Sequence, residues 1–402
     1  GRVDILITED RRLRNKADHL GLSNCVFSIN GFIAKVSAEN PDLIEYKALS
    51  VEKVYFGNVD STDSFFDSFR NSYTGFDRWF ARKCDEEAYI CRSDSNKILG
   101  FLYLKTEDVS ENYSDIEPPF SPKRRLKVGT FKVESTGFRL GERFVKIIFD
   151  NAQQRNGDEI YVTLFTDRGE LVALEELLYR WGFVYYGIKH NGGKEEKVLV
   201  KFLHKIIDNG TPKLNYPNIS HLCNKFILPI MPQYHTTLLP DSQLNSENRI
   251  DFLGREPHRY ALQKVYISWA STNGAKPGDL ILFYRMGLPG ENKKYKSVVS
   301  TIAIVDEIIE NIGSEENLLS LCQNRSVFSV DELKEIWRKH RYNLKILKFI
   351  FVKSLSKRLT LGYLWEHNII AAPGGPRPFT PITDEQFDMI VKDSETEITY
   401  VE

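Results

Sequence analysis

With 402 residues, 42% of them hydrophobic, the chain has the length for two or three domains and can bury real cores. Lys and Arg number 54 against 55 Asp and Glu, so a formal net charge of −1 announces neither nucleic acid nor membrane. No apolar run reaches the roughly 18 residues of a membrane span, and "GRVDILITEDRRLRNKA" holds no secretory apolar region. Five scattered cysteines without CxxC spacing read as free thiols of a reducing cytoplasm; eight scattered histidines give no zinc spacing, so no metal site is expected.

Residues 1 to about 41 read strand, helix, strand, helix: "VDILIT", "DRRLRNKADHLGL" closed by Gly21, "CVFSI", and the start of a helix in "NGFIAKV". This is too little to bury a core alone and reads as the tail of a larger α/β domain. Residues 42–205 give the order β-α-α-β-β-β-α-β-α-β-β, a mixed-sheet α/β domain. Its helices fall in "DSFFDSFRNSY", "FDRWFARKC", the segment after "LKVGTFKV", and "ELVALEELLYRW", which ends at Gly182. In the third helix Val145, Ile148, Phe149 and Ala152 recur at i, i+3, i+4 and i+7, one buried stripe. The loop before it carries Gly137 and Gly141. Its backbone N–H groups could cradle an anion at the helix start, or the glycines could serve turn and packing. Residues 206–224, rich in Pro, Asn and Gly, read as a linker. Residues 225–402 give several strands with short helices, an α+β arrangement expected to form a small, partly closed barrel.

Three resemblances attach to these pieces. In "ITEDRRL", Thr8 and Asp10 resemble the Thr-x-Asp motif that ends a strand near the C-terminus of PIN ribonuclease domains. That likeness implies a longer natural chain with further acids upstream; alternatively Asp10 only caps the helix after it.

From Leu126 to Ile188 the strand, glycine loop, helix, strand, helix and terminal "WGF" resemble the GNAT acetyltransferase superfamily. The resemblance implies acetyl-CoA as cofactor, its pyrophosphate on an Arg/Gln-x-x-Gly-x-Gly/Ala loop and its pantetheine arm between splayed fourth and fifth strands. Carried over, the binding set is Val133, Thr136, Gly137, Phe138, Arg139, Leu140, Gly141 and Arg143, with Thr136 at the usual Arg/Gln position and Arg139 at the first Gly. Many members carry a Tyr four residues before the Gly of the final "GF". Here that position is Leu178, with Tyr179 one residue later. The catalytic set implied is Glu134 as base, with Tyr179 or Tyr185 as acid; helix capping for Glu134 and strand packing for Tyr185 are the alternatives.

"FILPIMPQYHTTLLPD" followed by Gly278-Asp279 in "KPGDLILFYRM" resembles the PUA-like group, which includes ASCH and EVE domains and whose members commonly bind RNA. From Arg338 to Arg358 basic residues occur without an acid, including Lys345, Lys348, Lys353, Lys357 and Arg358. They could neutralise phosphates, with Trp269 offering a stacking face, or form a solvated surface. Together the pieces imply a PIN remnant (1–41), a GNAT-like domain (42–205), a linker (206–224) and a PUA-like domain (225–402). The expected function is N-acetylation of an amine on, or associated with, RNA such as tRNA. The alternative is an inert acetyl-CoA sensor regulating a PIN ribonuclease, as in toxin or defence systems.

Overall fold

The first strands and the helix between them set the pattern of the chain, which is mixed α/β throughout. The computed structural model describes residues 5–22, 25–27, 32, 51–93, 95–134, 140–165, 169–191, 193–206, 211–244 and 261–401. β1 (Leu6–Ile7) and β2 (Val26–Phe27) pair in parallel across α1 (Arg11–His19). Asp10 caps that helix, its carboxylate accepting from the N–H of Arg12 at 2.8 Å and of Leu13 at 3.3 Å. The helix expected in "NGFIAKV" lies outside the described residues except for Phe32.

A large sheet follows. Its elements in chain order are β3 (Val51–Tyr55), α2 (Asp67–Ser72), α3 (Phe76–Ala81), β4 (Glu87–Arg92), β5 (Ile98–Glu107), β6 (Ile116–Glu117) and β7 (Arg125–Val133). Next come α4 (Leu140–Gln154), β8 (Glu159–Phe165), α5 (Gly169–Arg180), β9 (Val184–Asn191) and β10 (Lys194–Phe202). The strand order is β3-β4-β5-β7-β8-β10-β9-β6, and among the described residues β7 with β8 is its one parallel pair. One face is covered by an aromatic cluster in which Phe56, Phe65, Phe66, Phe76 and Phe80 pack on Ile90, Phe101 and Tyr103. α4 and α5 cover the other. The stripe Val145, Ile148, Phe149 and Ala152 is fully buried there with Leu178 and Trp181, as the helical spacing requires.

The second half contains α6 (Pro212–Asn215), β11 (Lys225–Ile230), α7 (Pro232–Leu238), β12 (Gln263–Ser268), β13 (Leu280–Arg285), α8 (Lys293–Lys296) and β14 (Val298–Ile309). It ends with α9 (Glu315–Cys322), α10 (Val330–His340), β15 (Lys345–Thr360), α11 (Leu361–Glu366), β16 (Thr380–Ile382) and α12 (Asp384–Asp393). The sheet order is β12-β15-β14-β13-β11-β16, with β11 and β13 parallel. The expected barrel is not closed: among the described residues β12 and β16 are separate edges. The β14–β15 ladder carries three register shifts, at Val299/Thr301, Ile302/Ala303 and Val305/Glu307. Such bulges coil and bend a sheet without joining its edges.

The segment read as a linker on composition is packed where it is described. Tyr216 and Ile219 are buried, and the Tyr216 ring lies 5.8 Å from Trp181 and 5.5 Å from Phe149. Ile219 forms a bridge with Tyr400. One apolar cluster therefore runs from Phe149 and Trp181 through Tyr216 and Ile219 to Ile227, Leu280 and Ile302. A buried ion pair crosses the same junction. Glu142, in the first turn of α4, meets Arg325 at 2.6 Å and accepts from the N–H of Leu262 at 3.2 Å and of Gln263 at 3.4 Å.

All five cysteines are free thiols. Among the described residues no helix is long and apolar enough to cross a membrane, and no cluster of His, Cys, Asp and Glu is placed to hold a metal.

Candidate active site

Two parallel strands that separate create the site. β7 and β8 pair from Arg125↔Glu159 to Val128↔Val162, and there the ladder stops, although β7 continues to Val133 and β8 to Phe165. β7 stays attached to β5 as far as Val133↔Gly100, and β8 to β10 as far as Phe165↔Glu196. A wedge thus opens between residues 129–133 and 163–165. At its apex the β5–β7 register jumps from Leu104↔Val128 to Tyr103↔Thr130, leaving Gly129 as a bulged residue. A bulge turns backbone groups off the ladder and re-aims them. Gly129 also admits the Tyr103 ring, since a Cβ there would come within 2.7 Å of it.

α4 begins beside the wedge, and the first-turn N–H groups of a helix have no acceptor within the helix itself. A Cβ on Gly141 would lie 2.8 Å from Leu177 Cδ2, so glycine here lets α4 and α5 approach closely. A cavity of about 1520 Å³ takes in the wedge and is lined there by Val133, Glu134, Leu140 and Gly141.

On the side of α2 and α3 the same cavity meets two polar groups. In the first, the Glu196 carboxylate is 2% exposed; it accepts from Asn191 Nδ2 at 2.9 Å and from the Tyr73 hydroxyl at 3.4 Å. In the second, Lys83 donates to the Tyr103 hydroxyl at 3.1 Å and pairs with Glu86 at 2.6 Å, and Tyr103 donates to Glu86. Burial, then the bond to Glu86, raises the Tyr103 phenol above its usual range. Burial works against the charge of Lys83, but its bonds to Glu86 and Tyr103 outweigh that and raise it. Burial likewise opposes ionisation of Glu86, yet the bonds from Lys83 and Tyr103 hold it low. At neutral pH the trio is an ammonium, a carboxylate and a neutral phenol.

The sequence-derived cofactor set divides. Val133, Leu140 and Gly141 line the cavity; Thr136, Gly137, Phe138 and Arg139 lie outside the described residues. Arg143 is not in the lining and turns to Asp241 of the second half, 4.0 Å away. Of the catalytic set, Glu134 lines the cavity, paired with Lys132 at 2.8 Å and Lys97 at 3.6 Å. Residues 135–139, between Glu134 and the first described residue of α4, lie outside the described residues. Neither Tyr179 nor Tyr185 lines the cavity. Tyr179 is a surface phenol raised to about 12 by burial and by a bond to Glu175, and Tyr185 is 54% exposed on β9.

The basic run of the second half is mostly engaged. Lys345 pairs with Glu310 at 2.7 Å and Lys348 with Glu307 at 2.8 Å. Lys353 donates to the Glu397 carbonyl at 2.7 Å, and Arg358 to the Ser300 carbonyl at 3.2 Å and Ser354 Oγ at 2.8 Å. Lys357 is exposed. Trp269 stacks face to face on His340, with centroids 4.1 Å apart, beside the exposed Tyr342 and Arg341.

Sequence reasoning missed Tyr73, Lys83, Glu86, Tyr103, Asn191 and Glu196. One signal was present: on β10, Glu196, Val198 and Val200 alternate on one face, and a carboxylate leading an apolar face is an inward-pointing acid. The Lys83–Tyr103–Glu86 trio joins separate elements and leaves no local pattern.

No family model matches the chain, and no curated protein matches it. Solved structures of two kinds are similar to parts of it. The NatC complex bound to Gag peptide and CoA shares 18% identity over 38% of this chain and 99% of that one, with a TM-score of 0.27. Ard1 from Thermoplasma volcanium shares 11% over 40% and 99%, with a TM-score of 0.29. The ASCH protein from Zymomonas mobilis shares 14% over 44% and 98%, also with a TM-score of 0.29.

Proposed function

We propose that the chain is an acetyl-CoA-dependent N-acetyltransferase of the GNAT kind. The observation that carries this is the wedge between β7 and β8, continuous with a large cavity and flanked by the start of α4. The residues fit such a donor. Two strand edges that stop pairing offer amide donors and acceptors to a thin amide-bearing arm, and the helix start suits a pyrophosphate. Val133, Leu140 and Gly141 would hold it. When bound, acetyl-CoA supplies an activated acyl thioester.

The chain's own groups then have distinct tasks. An amine acceptor arrives protonated and must lose a proton before it attacks. Glu196 is a buried, oriented carboxylate facing the cavity, and it takes that proton directly or through one water. Glu134 is held by two lysines and serves the electrostatics of the wedge instead. N–H groups that the Gly129 bulge turns off the ladder would supply charge-stabilising donors at the apex. Lys83, fixed by Tyr103 and Glu86, keeps a positive charge on the acceptor side.

The acceptor is proposed to be linked to or carried with RNA, held on the second half by the surface strip of Trp269, His340, Arg341 and Tyr342. One observation favours the second reading, an inert acetyl-CoA sensor: Leu178, at the position of the usual tyrosine, is fully buried in the core.

The test is calorimetric titration of acetyl-CoA into the wild-type chain and into Gly141→Glu, which places bulk and negative charge at the helix start. Wild-type binding weakened about 100-fold or more in the variant is expected; no wild-type binding refutes the donor site. With binding in hand, Glu196→Gln is expected to lower kcat/KM by about 10²–10⁴ while the affinity for acetyl-CoA holds. Wild-type binding without turnover on any protein or RNA fraction would favour the sensor.

A further inference from the structure

The cavity does not end within the first half of the chain. Beyond the start of α4 its lining passes to Arg180 at the end of α5, Lys213 on α6, and Gln323, Asn324 and Arg325, which follow α9. Arg180, Lys213 and Arg325 are cations from three separate segments. The carboxylate among them, Glu142, is already engaged by Arg325 and two backbone N–H groups.

Lys213 is the informative member. It is half-buried, with its ammonium 4.9 Å from the centre of the Trp181 ring, and has no hydrogen-bond or ion-pair partner among the described residues. Burial lowers it to about 8; Arg325 and Arg180 push the same way, while Glu142 and Asp306 oppose. A partly desolvated cation at a cavity wall with no counter-ion is costly unless an anion joins it.

We propose that Arg180, Lys213 and Arg325 form a phosphate subsite, built across the two halves of the chain, for the phosphorylated nucleotide end of the acyl donor. It rests on the acetyl-CoA reading above and adds to it. The donor site is incomplete without α6 and the second half. The site thereby prefers CoA thioesters over the same acyl group on a pantetheine that lacks the nucleotide. Arg180 and Lys213 supply the free charge, and Arg325 adds to it while holding Glu142.

The experiment is calorimetric titration of the full chain with CoA, 3′-dephospho-CoA and acetyl-pantetheine, for the wild type, Lys213→Met and Arg180→Gln. Arg325 is left intact because its loss would also free Glu142. Lys213→Met is expected to weaken CoA about tenfold and leave acetyl-pantetheine unchanged, the size of one charge-assisted phosphate contact. Arg180→Gln lies on an exposed side chain, so folding does not confound it, and a smaller loss in the same direction is expected. Loss for CoA alone places the 3′-phosphate at the subsite, and equal loss for CoA and its dephospho form places the pyrophosphate there; both uphold the proposal. Wild-type affinity for CoA should also fall as pH rises through about 8, where Lys213 loses its proton, and Lys213→Met should lack that slope. Tight wild-type binding that neither variant changes overturns the subsite and leaves the donor reading standing. No binding of CoA to the wild type overturns both.

Discussion

Glu142→Ala is expected to lower the stability of the chain by about 3–5 kcal/mol, the range for removing one partner of a buried ion pair. The reason is what remains. Arg325 would keep its guanidinium at the junction without the carboxylate that meets it at 2.6 Å, and the N–H groups of Leu262 and Gln263 would lose their acceptor. The double variant Glu142→Leu/Arg325→Leu removes both charges and should recover much of the loss, because two apolar side chains need no counter-ion. Chemical denaturation of the three proteins checks this. A cost below about 1 kcal/mol for Glu142→Ala would mean that water reaches the pair and that it does not hold the junction.

The second large effect is expected at Gly182, in the "WGF" that closes α5. Its φ is +78°, and a Cβ there would stand 1.9 Å from the Leu214 carbonyl oxygen and 2.6 Å from Lys201 Nζ. Lys201 itself donates to that carbonyl at 2.5 Å, and burial lowers it to about 7. Gly182→Ala therefore combines a left-handed backbone, about 1–2 kcal/mol for an L residue, with a clash against main chain, about 1–3 kcal/mol. A loss of roughly 3 kcal/mol in urea denaturation is expected, and a change within 0.5 kcal/mol would show that α6 yields without cost.

The sequence made the helices legible where period and caps agreed. α10 and α12 each start behind a capping box, Ser329 with Glu332 and Thr383 with Gln386, a signal that lies within a few residues of sequence. The buried stripe of α4 could be read because helical spacing is local. The wedge was expected only through the family resemblance: Gly129 in "LKVGTFKV" hints at a bulge, but that β7 leaves β8 there depends on the pairing of separate strands. The packing within 206–224 was not legible from composition for a related reason. Pro, Asn and Gly do mark irregular backbone, but Tyr216 and Ile219 within it pack against both halves. Tyr179 was a candidate because it lies one residue after the usual tyrosine position, and Tyr185 because it alternates with Tyr186 on a strand; which way α5 and β9 turn them is not written locally.

The apolar cluster that passes through Tyr216 and Ile219 has a consequence for what counts as a part of this molecule. Trp181 and Phe149 are covered on one side by a residue of the joining segment, and Ile227 and Leu280 belong to the same cluster. A cut placed by composition between the halves would leave each fragment with a bared apolar patch that nothing of its own can cover. The two sheets are separate in hydrogen bonding yet share one interior, so the two halves are expected to fold and express well only together.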